Sequence, residues 1–163
     1  MHGSAVISPC GLFRYRVDRY LSDAPLVFAY FGVNPSTADG VSEDQTTHKW
    51  NYFTGAYGGG RWIAGNPMAL RSTDVKGLAS AVDPVGPDNH QHLAQIIAEA
   101  DILVPCWGNR AKVPPRLHVH IEELKTMILT AGKTVAVFGL TKSGDPKHPL
   151  MLGHNTPLVE WSV

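Results

Sequence analysis

The fold turns on Val27-Phe28-Ala29-Tyr30-Phe31-Gly32-Val33-Asn34-Pro35-Ser36-Thr37-Ala38-Asp39. Its first half is continuously apolar or aromatic, as suits a strand buried on both faces of a sheet. The run stops at Gly32-Val33-Asn34-Pro35, where glycine permits close backbone approach and proline removes a pairing donor. Asn34, Ser36, Thr37 and Asp39 then fall at a strand's carboxyl end, the place where open α/β sheets bind ligands. Asn-Pro is also ordinary turn chemistry, so the stretch takes its meaning from what else reaches the same edge.

Upstream, residues 12–17 alternate apolar or aromatic with basic residues and read as a half-exposed edge strand, Arg14 and Arg16 discouraging unwanted pairing. Downstream, Asp44 is a good N-cap for a helix over 45–56. Gly58-Gly59-Gly60 lacks the Gly-Lys-Ser/Thr sequel of a phosphate loop and reads as a flexible turn. A second strand over 61–66 ends like the first, in Gly65-Asn66-Pro67, followed by Met68-Ala69-Leu70-Arg71-Ser72-Thr73-Asp74. A helix from Pro87 to Ala100, a strand over 101–108, a helix from Pro114 to Thr130 and a strand over 134–140 follow. Thr156 to Trp161 packs back as an edge segment. This alternation predicts a single α/β domain over 1–163, a three-layer α/β/α sandwich with a mostly parallel central sheet of four to five strands.

The 163 residues carry 14 Lys plus Arg against 14 Asp plus Glu, so the formal net charge is zero and there is no general pull toward phosphate backbones. A local basic face remains compatible with that balance. The 44% hydrophobic and 17% charged content suits a globular chain. Cys10 and Cys106 read as reduced core residues of a cytoplasmic protein. The sequence holds no cysteine cluster for iron–sulfur, zinc motif, dinucleotide fingerprint or Gly-x-Ser-x-Gly elbow, so neither cofactor nor metal is expected. No apolar run reaches membrane-spanning length.

Four strand ends thus bring Asn34, Asn66, Trp107-Gly108-Asn109-Arg110 and the Lys142-to-Leu152 loop to one edge. Asparagine offers both a donor and an acceptor, as reading a nucleobase edge requires. Its carbonyl can also orient an attacking water, although it is too weak a base to deprotonate one. Such chemistry needs a substrate that ionises ahead of the nucleophile, as an N-glycosidic bond does. His148, near Lys142 and Lys147, can hold phosphate or stabilise a departing anionic base. Leu150-Met151-Leu152 reads either as an apolar wedge into a base stack or as core packing.

From Tyr15 to Trp161 the chain resembles the family catalogued as domain of unknown function 1643. The shared segments are Asn34 to Asp39, Asn66 to Asp74, Asp83 to Asn89, Trp107-Gly108, Gly139 to Leu150 and Thr156 to Trp161. More distantly, Phe31 to Ser36 is similar to the Gly-Ile-Asn-Pro-Gly motif of the mismatch-specific and thymine-DNA branch of the uracil-DNA glycosylase superfamily. Asn66 to Thr73 resembles that branch's Asn-Met-Val-x-Arg-Thr-Thr segment, and His148-Pro149-Leu150 its late His-Pro loop. The resemblance implies a glycosylase-like fold, with DNA or a nucleotide as partner. It implies that Asn34 orients water, His148 stabilises the leaving base, Asn66 reads the base and Phe31 stacks on it. Gly32, Ser36, Thr37, Asp39, Arg71, Trp107, Lys142 and Lys147 complete the expected substrate site. Two departures stand out: Ser36-Thr37 replaces glycine, and Pro67 is inserted after Asn66. The alternative is a non-catalytic module for a nucleotide or modified base, such as a phage or mobile-element accessory protein.

Overall fold

The computed structural model describes residues 2–35 and 44–161. In chain order these form β1 (His2–Ile7), β2 (Arg14–Tyr20), β3 (Leu26–Phe31), α1 (Gln45–Ala56), β4 (Gly59–Gly65), α2 (Val75–Ala79), α3 (Asn89–Glu99), β5 (Ile102–Pro105), α4 (His118–Leu129), β6 (Thr134–Val137) and β7 (Val159–Glu160). Among the described residues the chain is an α/β protein with one seven-stranded sheet, ordered β1-β2-β4-β3-β5-β6-β7. The four inner strands β4, β3, β5 and β6 run parallel. β2 joins β4 antiparallel, β1 joins β2 antiparallel, and β7 closes the other side antiparallel to β6.

The expected four- to five-stranded, mostly parallel sheet is therefore corrected to a seven-stranded mixed one. The difference comes from the chain's beginning: His2–Ile7 pairs along the whole of β2. β2 is interior, not an edge, and Arg14 is only 6% exposed. Arg16 does not guard an edge either. It pairs with Asp18 at 2.9 Å and with Glu99 at 2.5 Å, and Arg61 closes the cluster on the same Asp18 carboxylate.

β3 explains how the sheet is covered. Its side chains alternate, so Phe28 and Tyr30 pack with Trp50 and Phe53 of α1, whereas Ala29 and Phe31 pack with Ile96 of α3 and Ile121 and Leu124 of α4. Each such large side chain, fully buried, contributes roughly 1.5–3 kcal/mol. The helix over 45–56 forms with the expected start. The Asp44 carboxylate accepts the Thr47 N–H at 2.9 Å, and the Thr47 hydroxyl takes the Asp44 N–H at 2.9 Å, a reciprocal cap worth about 1 kcal/mol.

The triple glycine is not a flexible turn throughout. Gly58 turns the chain with φ +80°, but Gly59 and Gly60 already belong to β4. A side chain on Gly60 would lie 2.1 Å from the Ala24 carbonyl oxygen, so this glycine serves close approach of two backbones. Cys106 is buried as expected, whereas Cys10 is exposed rather than in the core. Among the described residues no helix is long and apolar enough to cross a membrane.

Candidate functional site

Because β3 and β4 are parallel neighbours, both Asn-Pro turns leave the sheet at the same edge. They are tied into one unit. The Gly32 N–H donates to the Gly65 carbonyl at 3.4 Å, Met68 N–H to Val33 at 3.3 Å, and Ser72 N–H to Pro35 at 3.0 Å. The side-chain nitrogen of Asn34 donates to the Ser72 carbonyl at 2.7 Å and to the Pro35 carbonyl at 3.0 Å. Two carbonyl acceptors identify that end of the amide as the nitrogen. The Asn34 Oδ1 then faces the other way and accepts no hydrogen bond among the described residues.

Asn66 is fixed from beneath. Asn89, fully buried, donates to the carbonyls of Asn66 at 2.8 Å and Pro67 at 3.2 Å, so the inserted proline sits in a held turn. Asn66 is 6% exposed, and its side chain makes no hydrogen bond of its own among the described residues. Gly32 gives it room, since a methyl there would come 3.0 Å from the Asn66 Oδ1.

His148 arrives on a braced loop after β6. Lys147 N–H donates to Gly139 at 3.0 Å, Thr141 N–H to Asp145 at 2.8 Å, and Gly108 N–H to Pro146 at 2.8 Å, pinning the loop to the end of β5. The Asp145 carboxylate anchors the same loop by accepting the Arg110 N–H and Nε–H at 3.0 Å each, and the Ser143 hydroxyl at 2.9 Å. Burial pushes this carboxyl up, but the bonds from Arg110 and Ser143 prevail and hold it below its ordinary value. The His148 Nδ1 accepts the Leu150 N–H at 3.1 Å at the start of the 3-10 turn Pro149–Met151. The neutral ring therefore carries its proton on Nε2. Burial lowers the imidazole below its ordinary value, and the Asp44 carboxylate only partly opposes this. At neutral pH His148 is a neutral donor.

Two adjoining cavities result. The smaller, about 230 Å³, is lined by Arg14, Gly32, Asn34, Asp44, Thr47, Trp50, Asn66, His148 and Leu150, among others. The larger, about 430 Å³, shares Asn34, His148 and Leu150 and adds Trp107, Asn109, Lys112, Val113, Lys147 and Met151. Among the described residues its walls are largely apolar, with two lysines and no carboxylate. Among the described residues no group of three His, Cys, Asp or Glu is placed to hold a metal ion.

Residues 14–150 match the family described as Protein of unknown function (DUF1643). The chain belongs to that family. Comparison with curated proteins and with solved structures finds no match. In this DUF1643 member the matched span begins at Arg14 and ends at Leu150, and both residues line the smaller cavity.

Of the expected site residues, Gly32, Asn34, Asn66 and His148 meet at the smaller cavity. Trp107 and Lys147 join Asn34 and His148 at the larger one. Phe31 does not serve as a stacking residue: it is fully buried in the core beside α3 and α4, because strand alternation turns it inward there. Arg71 and Lys142 line neither cavity; Arg71 instead donates its N–H to the Leu12 carbonyl at 2.9 Å, and Lys142 is exposed. Ser36, Thr37 and Asp39 lie outside the described residues. Leu150 and Met151 are 36% and 90% exposed, so the apolar run is not core packing at these two positions.

Sequence reasoning missed Arg14, Asn89 and Asp145 as site-forming residues. Asn89 had a signal, standing in the Asp83-to-Asn89 segment of the family pattern. Arg14 had none, because only the pairing of β1 outside β2 makes its strand an inner one. Asp44, a helix cap by its place in the sequence, also borders the smaller cavity.

Proposed function

We propose that this protein binds a nucleobase, including a modified one, and hydrolyses its N-glycosidic bond, with DNA as the favoured source of the base. The observation that carries this reading is the meeting of Asn34, Asn66 and His148 on one cavity, with the Asn34 amide oriented by two backbone carbonyls. The larger cavity is within the size range of small-molecule sites, and the two together suit a base with its sugar.

In this mechanism the bond between the sugar C1′ and the base nitrogen stretches first, leaving positive charge on the sugar and negative charge on the base. The Asn34 Oδ1 accepts a hydrogen bond from a water and aims it at C1′. The water's oxygen forms the new C1′–O bond and its proton leaves to solvent. The His148 Nε2–H donates to the departing anionic base, a role for which a neutral imidazole is suited. The Asn66 amide, with one donor side and one acceptor side, reads the base edge. A duplex substrate has to extrude its base before any of this occurs.

Helices on both faces of the sheet and a polar carboxyl edge are compatible with a sandwich of the uracil-DNA glycosylase kind. The free thiols of Cys10 and Cys106 suit a cytoplasmic setting. The test is incubation with oligonucleotides carrying uracil, hydroxymethyluracil and other modified bases, followed by alkaline cleavage at abasic sites. Base release supports the reading, and the lack of abasic product from every substrate overturns it.

The formal net charge of zero favours a second reading, a non-catalytic module for a nucleotide or modified base. Thermal-shift screening with nucleosides, nucleotides and oligonucleotides separates the two, since stabilisation without turnover selects the module.

A further inference from the structure

On α1, Gln45, His48, Lys49 and Tyr52 follow the i, i+3, i+4, i+7 spacing and form one outer helix face. With His154 and Leu150 they border a third cavity of about 420 Å³. Leu150 also borders both site cavities, so this groove adjoins the site across a single side chain. The Lys49 Nζ donates to the Leu152 carbonyl at 2.5 Å and ties α1 to the segment between Leu150 and His154. The Tyr52 ring stacks on His154 with centroids 3.9 Å apart and planes 13° from parallel. Tyr52 is nevertheless 42% exposed. Among the described residues no carboxylate lines the groove.

An exposed aromatic pair beside a cation is a stacking platform next to a phosphate contact. We propose that this groove binds single-stranded DNA, taking the nucleotide adjacent to the one whose base enters the smaller cavity. The neighbouring base stacks against the Tyr52–His154 pair, and Lys49 faces the phosphate between the two nucleotides. Unpaired bases present free faces to such a platform, whereas duplex bases are already stacked on one another. A chain with no net charge also offers duplex DNA little general attraction. The assignment rests on the base-binding reading of the smaller cavity, but it is measured by binding and not by turnover.

The experiment titrates the full chain into a fluorescein-labelled, unmodified single-stranded DNA of about ten nucleotides, followed by anisotropy, with the matching duplex alongside. Tyr52→Ala weakens single-strand binding by about five- to a hundredfold. Tyr52→Phe keeps the ring face and binds within about twofold of wild type. Tyr20→Ala removes an exposed tyrosine that pairs with the start of β4, at the opposite edge of the sheet, and leaves binding unchanged. Thermal midpoints of the two Tyr52 variants separate lost folding from lost stacking. Absence of single-strand binding, wild-type affinity in Tyr52→Ala at an unchanged midpoint, or tighter binding of duplex each overturns the proposal. Tyr52-dependent binding without base release overturns only the hydrolytic reading. Base release from free nucleosides without Tyr52-dependent DNA binding overturns only the groove.

Discussion

The side-chain nitrogen of Asn34 lies 2.7 Å from the carbonyl oxygen of Ser72, in the loop that follows the second Asn-Pro turn. One amide thereby joins two strand ends with its nitrogen, while its oxygen accepts no hydrogen bond among the described residues. The two duties separate in a charge-altering variant. Asn34→Asp sets a carboxylate against two carbonyl oxygens and loses both donors, so at neutral pH it costs about 1–3 kcal/mol and more than Asn34→Ala does. Protonating the new carboxyl restores one donor, and the deficit against Asn34→Ala shrinks as pH falls into the carboxylate range. Urea unfolding at neutral and at acidic pH measures both. An Asn34→Asp chain as stable as wild type at neutral pH contradicts the clamp.

Gly32 tests the fit of Asn66. A methyl group at this position approaches the Asn66 Oδ1 to 3.0 Å, so the amide must give by a few tenths of an ångström. Gly32→Ala is expected to lower base release or ligand affinity by about tenfold, because positioning errors below an ångström carry such costs. The thermal midpoint should move little, since the side chain that shifts borders a cavity. Equal affinity at equal stability would remove Asn66 from the recognition site.

His148 gives a pH dependence of definite sign. Its folded value is depressed by burial, so the unfolded chain binds the proton more readily. The stability that His148 contributes is present above its unfolded value, near 6.5, and is lost as pH falls through the depressed folded value. Protonation at Nδ1 also ends acceptance of the Leu150 N–H. His148→Gln is therefore expected to flatten the decline of stability between about pH 7 and pH 5. His92, also depressed by burial and by the nearby Arg16, leaves a residual slope in that variant. A profile unchanged by His148→Gln contradicts the half-buried neutral imidazole.

The parts legible in the sequence were those set by local pattern. Asp44 and the helix it caps, the apolar run of β3 and the paired Asn-Pro turns depend on spacing and turn chemistry, and the topology then carries Asn34, Asn66 and His148 to one cavity. The parts not legible depend on partners distant in the chain. Arg14 stands on an inner strand because β1 lies outside β2, and Gly60 serves a contact with Ala24 that no local pattern announces. Phe31 was misplaced for a different reason. In a run that is apolar on both faces, alternation alone does not say which side chains meet the core and which meet a cavity.

The most direct test of Asn34 as the residue that orients water is the rate of base release by wild type and by Asn34→Ala on the best modified-base oligonucleotide, read as abasic sites cleaved by alkali. Loss of a group that acts on the transition state in a site of this kind slows reaction by about a hundred- to a thousandfold. Wild type is expected to release base measurably and Asn34→Ala to fall by that amount while still folded, as a water-orienting role for Asn34 requires. Release at the wild-type rate by a folded Asn34→Ala chain contradicts it.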